Sequence, residues 1–279
     1  MKNKFEGYYF KLQKEDRTLA IIPGCSREGA FIQIVTNERS YHIQYGHDEY
    51  FRNGIVQVGK STFWKKGMVL DIANEDITLK GKLKFKNLIT LKKDIMGPFR
   101  YFPMECRHVV VSMRHDIEGT VMLNGESIDF TYGVGYTEGD RGRSFPAAHS
   151  WAQCNVWEDW KSDCSVMAAA AKIPVTGTRF WGCIAAVWFE GKEYRIATYK
   201  GAKIQRRTPS EIVLTQRNLR LTILASEGNS HMLYAPDCGC MDRMIHESVA
   251  VSARFIFEID NQVVMDRWSA HASYEYTEE

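Results

Sequence analysis

The sequence has little excess charge, no cysteine framework and no long apolar run. Its 36 Lys and Arg residues against 34 Asp and Glu leave a net charge of +2, too small to indicate binding to nucleic acid or to a membrane surface. The seven cysteines are odd in number and irregularly spaced, which predicts reduced residues in a cytoplasmic protein. The apolar stretch 166–173 is broken by Lys172 and is too short to span a bilayer, and residues 1–8 lack the apolar core of a targeting signal.

Helical periodicity is also scarce, whereas alternation of apolar and polar residues is common. Between Val109 and Ile117, every second residue except His115 is apolar. Asn124–Gly125 is typical of a hairpin turn, and the alternating segment Val249–Ile259 is followed by a second turn signal at Asp260–Asn261. Many strands joined by short polar turns predict an all-β protein, either a barrel or a sandwich, with little helix.

A glycine-rich passage, Tyr132–Pro146, separates two strand-rich halves. Four glycines within ten residues are unfavourable in the centre of a strand and suit a crossing or a loop. We therefore predict two β-barrels, one formed by residues 1–132 and the other by residues 133–279. The sequence does not indicate an oligomeric state.

Three short motifs point to functions that the sequence does not otherwise support. Gly54–Ser61 matches the spelling of a phosphate-binding loop, but the residues after it predict a turn and a strand where that loop needs a helix, so no nucleotide is expected. Lysine occupies every second position of residues 80–86, which indicates the solvent-facing side of a strand. Cys238, Cys240 and His246 lack the spacing of known zinc sites, so neither a metal nor another cofactor is predicted.

Carboxylates and cations lie close together within the glycine-rich passage. Glu138 and Asp140 are two residues apart, and either could serve as a general acid in a partly dry site. The other interpretation is that Asp140 pairs with Arg141 or Arg143 and only shapes a loop. In the functional interpretation, the neighbouring side chains that would bind the ligand are Tyr136, Arg143 and Ser144.

Directly after this passage, residues 151–157 interleave aromatic and amide side chains. If they form one strand, Trp151, Gln153, Asn155 and Trp157 share a face, which could line a mostly apolar ligand pocket. An exposed face covered by a loop is equally consistent with the pattern. His115, among apolar neighbours, is either a hydrogen-bonded core residue or a proton-transfer group directed into a barrel lumen.

These motifs resemble the tocopherol cyclase-like family. Residues 138–146 (EGDRGRSFP) followed by 151–157 (WAQCNVW) are similar to the central signature of the family, and further similarities extend in order along nearly the whole chain. They are Tyr8–Lys11, Ile22–Gly24, Ala30–Gln33, Ser112–His115, Ala197–Lys203, Leu233–Pro236 and Arg243–Ser248.

The resemblance implies a pair of lipocalin-like antiparallel β-barrels packed together and, from the plant members, closure of the chromanol ring of tocopherols. That reaction protonates an alkene, after which a phenol oxygen captures the cation in a water-poor pocket. Glu138 or Asp140 would supply the acid, His115 could take part in proton transfer, and Trp151 with Trp157 would form aromatic walls that tolerate positive charge.

The chain also departs from the plant enzymes. It is shorter, lacks a plastid transit segment and has Arg141 where the plant signature has tryptophan, so it is expected to be a bacterial member whose substrate need not be a tocopherol precursor. We expect an isomerase-type cyclase that acts on a hydrophobic molecule bearing a hydroxyl and an alkene. The alternatives are a non-catalytic binder of a lipid, quinone or carotenoid-like ligand and, third, a hydratase.

Overall fold

A computed structural model describes residues 4–159, 161, 163–175, 178–226, 228 and 230–278. Residues 1–3 of the N-terminal stretch considered above for a targeting signal lie outside this set. In the described residues, strands alternate with turns, and helix is limited to short 3₁₀ segments at His47–Glu49, Gly97–Tyr101 and Thr198–Lys200. The described residues include no helix that is both long and apolar enough to cross a membrane.

The described residues form two large antiparallel sheets. The first has 12 strands, and the second has 10 strands. The strands of the first sheet are β1 (Phe5–Lys14), β2 (Arg17–Ser26), β3 (Gly29–Thr36), β4 (Ser40–Tyr45), β5 (Tyr50–Arg52), β6 (Val56–Val58), β7 (Ser61–Trp64), β8 (Gly67–Ala73), β9 (Thr78–Ile89), β10 (Cys106–Leu123), β11 (Glu126–Asp129) and β12 (Val134–Gly142).

The second sheet contains β13 (His149–Cys154), β14 (Cys164–Val175), β15 (Thr178–Phe189), β16 (Lys192–Ala197), β17 (Lys203–Thr208), β18 (Glu211–Gln216), β19 (Leu219–Ala225), β20 (His231–Asp237), β21 (Cys240–Ile259) and β22 (Gln262–Thr277). Its terminal strands approach one another, since β15 and β16 contact β17 and β18. Both sheets are consistent with lipocalin-like barrels, which confirms the predicted all-β class.

Two hairpin turns form where the sequence predicted them, whereas the glycine-rich passage predicted to be a crossing or loop is mostly strand, β12. Asn124 and Gly125 have φ angles of 49° and 86°, the left-handed conformation that a two-residue hairpin requires, and they join β10 to β11. Asp260 and Asn261, at 53° and 61°, join β21 to β22 in the same way. The segment Gly54–Ser61 forms a strand and a turn, and β7 follows it where a phosphate-binding loop would need a helix.

Contacts divide the chain into two compact units. Unit 1 comprises residues 1–90, 108–144 and 233–244, and unit 2 comprises residues 91–107, 145–232 and 245–279. The change from the first sheet to the second falls after β12, at residues 143–148. The two-barrel division into residues 1–132 and 133–279 stays a prediction about folding domains.

Each unit has its own apolar core, built from alternate residues of its strands. In unit 1, Phe10 and Leu12 of β1 face this core, whereas Tyr9 and Lys11 point to the opposite face of the sheet. In unit 2, the predicted alternation of β21 is confirmed in register, because its core includes Phe255 among the alternate residues 251, 253, 255 and 257. The side chains on the sheet face opposite each core therefore do not belong to that core.

Candidate functional site

Strand β12 presents different chemistry on its two faces. Thr137 is paired with Phe10, a member of the unit 1 core, so the odd-numbered residues of β12 face that core. The even-numbered residues Tyr136, Glu138 and Asp140 alternate to the other face. The predicted carboxylate pair therefore shares one face of one strand, together with the predicted ligand-binding residue Tyr136.

A histidine from β10 joins these three side chains into one connected cluster, which we call the proton chain (Tyr136, Glu138, His108 and Asp140). The Tyr136 hydroxyl donates a hydrogen bond to Glu138 Oε2 at 2.5 Å. His108 Nε2 lies 3.3 Å from the same oxygen, an ion-pair contact without hydrogen-bond geometry, and its Nδ1 lies 3.0 Å from Asp140 Oδ1. The imidazole thus bridges the two carboxylates.

The charges in this cluster set the protonation of its neutral and basic members. Burial lowers the pKa of His108, but the carboxylates of Glu138 and Asp140 act in the other direction and together raise it well above its ordinary value. Burial and the neighbouring Glu138 raise the pKa of the Tyr136 hydroxyl well above its usual range. At neutral pH the proton chain therefore contains an imidazolium and a protonated phenol.

The proton chain runs from the interior towards solvent. Tyr136 is 0% exposed, whereas the side chains of Glu138, His108 and Asp140 are 8%, 12% and 19% exposed. Protons can exchange with water at the Asp140 end, while the Tyr136 end remains dry. A dry end strengthens electrostatic interactions with any bound ligand.

Strand register places two further side chains of β1 on the same face. Lys11 pairs with Tyr136 and Tyr9 pairs with Glu138 across the antiparallel ladder. Lys11 is 0% exposed, which is rare for a lysine. Strand pairing therefore places a buried amine on the face that carries the carboxylates.

The spacing of His108, Glu138 and Asp140 also resembles that of a metal site, since one ligand atom from each lies within 4.8 Å of the others. The orientation of the ring fits an imidazolium better. Nδ1 faces Asp140 and Nε2 faces Glu138, so each ring nitrogen has its own carboxylate neighbour. An imidazolium with a proton on each nitrogen accounts for both contacts.

His115, predicted as a possible catalytic residue, lies on the opposite face of the sheet from the proton chain. It is 0% exposed, its ring lies 4.1 Å from that of Phe85, and its Nδ1 lies 3.2 Å from Ser112 Oγ. Burial lowers the pKa of His115 to about 3, so the ring is neutral at physiological pH. Its geometry is that of a packed core histidine, and a part in proton transfer stays a prediction.

Arg143 and Ser144 follow β12 and contact a turn of the same unit. The Arg143 carbonyl accepts the backbone N–H of Gly239 at 2.7 Å. Ser144 Oγ accepts the N–H of Cys238 at 2.9 Å and lies 3.3 Å from Asp237 Oδ1. These contacts position the β20–β21 turn, and ligand binding by either residue stays a prediction.

The predicted aromatic and amide strand is shorter than expected. Strand β13 ends at Cys154, so the prediction that residue 157 shares a face with residues 151 and 153 is wrong. Trp157 instead belongs to the core of unit 2, where its indole N–H donates to the Cys164 carbonyl at 3.0 Å and its ring packs edge-on against Phe255. Alternation fails here because these contacts draw the indole inward after the strand has ended.

Trp151 and Gln153 do alternate to the face of β13 opposite that core. Trp151 is 7% exposed and Asn155, just beyond the strand, is 2% exposed. Gln153 is 0% exposed, and among the described residues neither atom of its amide group has a hydrogen-bond partner. A buried amide with an unused donor and acceptor is costly unless a ligand or water satisfies it, which supports the predicted binding role.

The sequence interpretation missed His108 and Lys11. The signal for His108 was present, because it falls on the even-numbered face of β10 with Ser112 and Arg114, the polar face of the predicted alternation. Its pairing with carboxylates of β12 depends on strand order, in which β10 neighbours β12, and local spacing does not reveal that order.

Comparison with known proteins gives one family and a shared fold. The family model described as Tocopherol cyclase-like matches residues 50–208. No curated protein matches the chain significantly. Among solved structures, CghA has a TM-score of 0.59 at 10% identity, covering 98% of this chain and 88% of that chain. CghA with Sch210972 has a TM-score of 0.58 at the same identity and coverage. A protein assigned as AttH from Nitrosomonas europaea has a TM-score of 0.52 at 12% identity, covering 98% and 92%.

Proposed function

This chain belongs to the tocopherol cyclase-like family, and we propose that it catalyses an acid-dependent ring closure or isomerisation of a hydrophobic small molecule bearing a hydroxyl and an alkene. One observation carries the proposal. The buried proton chain joins Tyr136, Glu138, His108 and Asp140, and exposure rises from 0% at Tyr136 to 19% at Asp140. Such a chain can supply protons to a dry site and recover them from it.

The proposed reaction leaves the composition of the substrate unchanged. The His108 imidazolium, whose Nε2 lies 3.3 Å from Glu138 Oε2, passes a proton to that oxygen when the ring turns into hydrogen-bond alignment. Glu138 then protonates one alkene carbon, which forms a C–H bond and leaves a carbocation on the other carbon. The substrate hydroxyl oxygen attacks that cation and closes the ring. The hydroxyl proton passes to Glu138 and from there back to His108, so both groups return to their starting protonation states.

Two members of the proton chain act by holding the others. Asp140, 3.0 Å from Nδ1, stabilises the imidazolium and fixes its ring. The Tyr136 hydroxyl keeps its proton because its pKa is raised, and its hydrogen bond orients the Glu138 carboxyl. Ligand binding by Trp151 and Gln153 within unit 2 is a separate proposal, supported by the amide of Gln153, which has no partner among the described side chains.

Isotope incorporation tests the proton transfer directly. Prenylated hydroquinones carry both a phenol hydroxyl and a trisubstituted alkene, so a panel of them can be incubated with the protein in D₂O. We expect a cyclic product with one deuterium on the former alkene carbon and no other change in composition, measured by mass spectrometry. A product that gains the mass of water would identify a hydratase, and ring closure without deuterium would rule out protonation of the alkene.

The second candidate function is a non-catalytic lipocalin-like binder. The fully buried amide of Gln153 favours it, because hydrogen bonding to a ligand requires no proton transfer. The structure of CghA with Sch210972 supports ligand binding in this fold. Quenching of tryptophan fluorescence by the same hydroquinones, without any turnover, would support a binder over an enzyme.

A further inference from the structure

Unit 2 presents two adjacent aromatic side chains to solvent on one short loop. Tyr101 is 75% exposed and Phe102 is 61% exposed, at the end of the 3₁₀ helix Gly97–Tyr101. Pro98 and Pro103 flank them and are exposed as well. Single exposed apolar residues are ordinary, but neighbouring aromatic side chains at one projecting loop mark an interaction surface.

The loop is held in place by its own unit. Arg195 donates to the carbonyls of Asp94 at 2.6 Å and Lys93 at 2.8 Å, and the Tyr199 hydroxyl donates to the carbonyl of Ile95 at 3.0 Å. Phe99 packs edge-on against Tyr199 with ring centres 6.1 Å apart. The exposure of Tyr101 and Phe102 is therefore built into a supported loop.

The exposed charged residues of segment 91–107 are all cationic. Lys92, Lys93 and Arg100 are exposed. The acidic Asp94 is mostly covered and pairs with Arg107 at 3.1 Å. Amphipathic aromatic side chains flanked by exposed cations match a lipid interface, where the rings enter the headgroup layer and the cations approach phosphates.

We propose that this loop docks unit 2 onto an anionic lipid surface. Tyr101 and Phe102 enter the headgroup region, while Lys92, Lys93 and Arg100 approach lipid phosphates. Because exposed cations flank the aromatic pair, an anionic lipid surface fits this loop better than an apolar protein groove does. The proposal is separate from the chemistry at Glu138 and stands whether or not the protein is an enzyme.

Vesicle flotation of the full chain tests the docking. We expect the protein to float with phosphatidylcholine–phosphatidylglycerol vesicles and less with phosphatidylcholine alone. The double variant Tyr101→Ser/Phe102→Ser loses roughly tenfold or more of its partitioning, because two ring contacts with the interface disappear. The control Tyr132→Ser removes an even more exposed aromatic ring, 92% exposed in unit 1, and keeps full binding.

A charge-removal pair gives a second readout that does not depend on the aromatic variant folding. Lys92→Gln/Lys93→Gln lowers binding to anionic vesicles about fivefold per lysine at low salt. The control Lys65→Gln/Lys66→Gln removes an equal charge from an exposed turn of unit 1 and leaves binding unchanged. Added salt reduces wild-type binding as well.

Any one of four results would overturn the proposal. The wild-type chain fails to float with anionic vesicles, the aromatic double variant floats as well as wild type, or either control loses as much binding as its matched variant. A fourth is a wild-type dimer, seen by light scattering, that the aromatic double variant dissociates without any change in flotation. That result would assign the loop to an interface between two copies.

Discussion

Strand β10 carries two histidines on opposite faces of the same sheet, and they differ in almost every respect except burial. His115 packs against Phe85 in the core of unit 1, and burial lowers its pKa to about 3. His108 lies between Glu138 and Asp140, and those carboxylates raise its pKa well above the ordinary value despite burial. One face therefore holds a neutral ring and the other an imidazolium.

The difference between the two histidines shows how far burial alone determines the charge of a histidine. Burial always disfavours the charged form of a histidine, so by itself it produces the situation of His115. A buried imidazolium needs opposite charges within contact distance, which His108 obtains from two carboxylates of the neighbouring strand. The face that carries paired charges is the one suited to proton transfer, and the core face is suited to packing.

Among the variants proposed for the two faces, replacement of Glu138 is expected to have the largest effect, a loss of turnover. Glu138→Gln keeps the size of the side chain but removes the carboxylate that receives the proton of His108, so turnover of the active hydroquinone falls by roughly 10²–10⁴-fold. Binding of the same compound is retained, because the amide fills the same space. Both are measured on purified protein, by product formation and by fluorescence titration.

The matched control for this prediction is Glu118→Gln. Glu118 lies in unit 1 and forms an exposed ion pair with Lys86, outside the proton chain. Its replacement leaves turnover within about twofold of wild type. If Glu138→Gln retained the activity of Glu118→Gln, Glu138 would not be the acid.

The pH dependence of stability should separate the two histidines by sign. The contribution of His108 is complete below about pH 6.5, the unfolded value, and is lost as pH rises through its raised folded pKa. The contribution of His115 is present above about pH 6.5 and is lost as pH falls towards 3, by up to about 5 kcal/mol. Urea unfolding at several pH values measures both.

Single variants show which histidine causes each part of the pH dependence of stability. His108→Gln should flatten the loss of stability on the alkaline side, and His115→Met should flatten the loss on the acid side. NMR titration of the two rings gives an independent check. An imidazole signal of His108 that titrates below pH 6 would contradict the ion-pair assignment.

A smaller effect is expected on the core face at Gly135. A Cβ at this position would lie 2.2 Å from His115 Nε2, so Gly135→Ala should lower the free energy of unfolding by about 1–3 kcal/mol through overpacking. The double variant Gly135→Ala/His115→Ala relieves the clash and costs less than the sum of the two single changes. Additive costs, measured by urea unfolding, would show that the ring does not constrain the glycine.

Much of the fold could be predicted from the sequence because strand alternation and turn chemistry are local. Asn124–Gly125 and Asp260–Asn261 specify their turns through residues that tolerate positive φ. The alternation pattern predicted the wrong position for Trp157, because no local sequence feature indicates that β13 ends at Cys154. The position of the Trp157 ring depends on packing against Phe255, which lies far away along the chain.

The candidate site was predictable only in part, for the same reason. Glu138 and Asp140 were found because two carboxylates stand close together within one glycine-rich segment. Spacing favoured local arginine partners for Asp140, whereas the structure pairs it with His108 on β10. Long-range pairing is set by the order of strands in the sheet, so local spacing did not reveal His108 as the partner of Asp140.

The smallest expected effect concerns Thr137, next to Gly135 on the core face. Its side-chain oxygen is buried, and among the described residues it has no hydrogen-bond partner. Thr137→Val replaces this hydroxyl with a methyl group of similar size and should raise the free energy of unfolding by about 1 kcal/mol. The matched change Thr198→Val should be destabilising, because the Thr198 hydroxyl accepts the N–H of Cys183 at 2.7 Å. A loss of stability in Thr137→Val would mean that the Thr137 hydroxyl forms a stabilising hydrogen bond on the core face. The core face would then differ less from the face that carries Glu138 and Asp140.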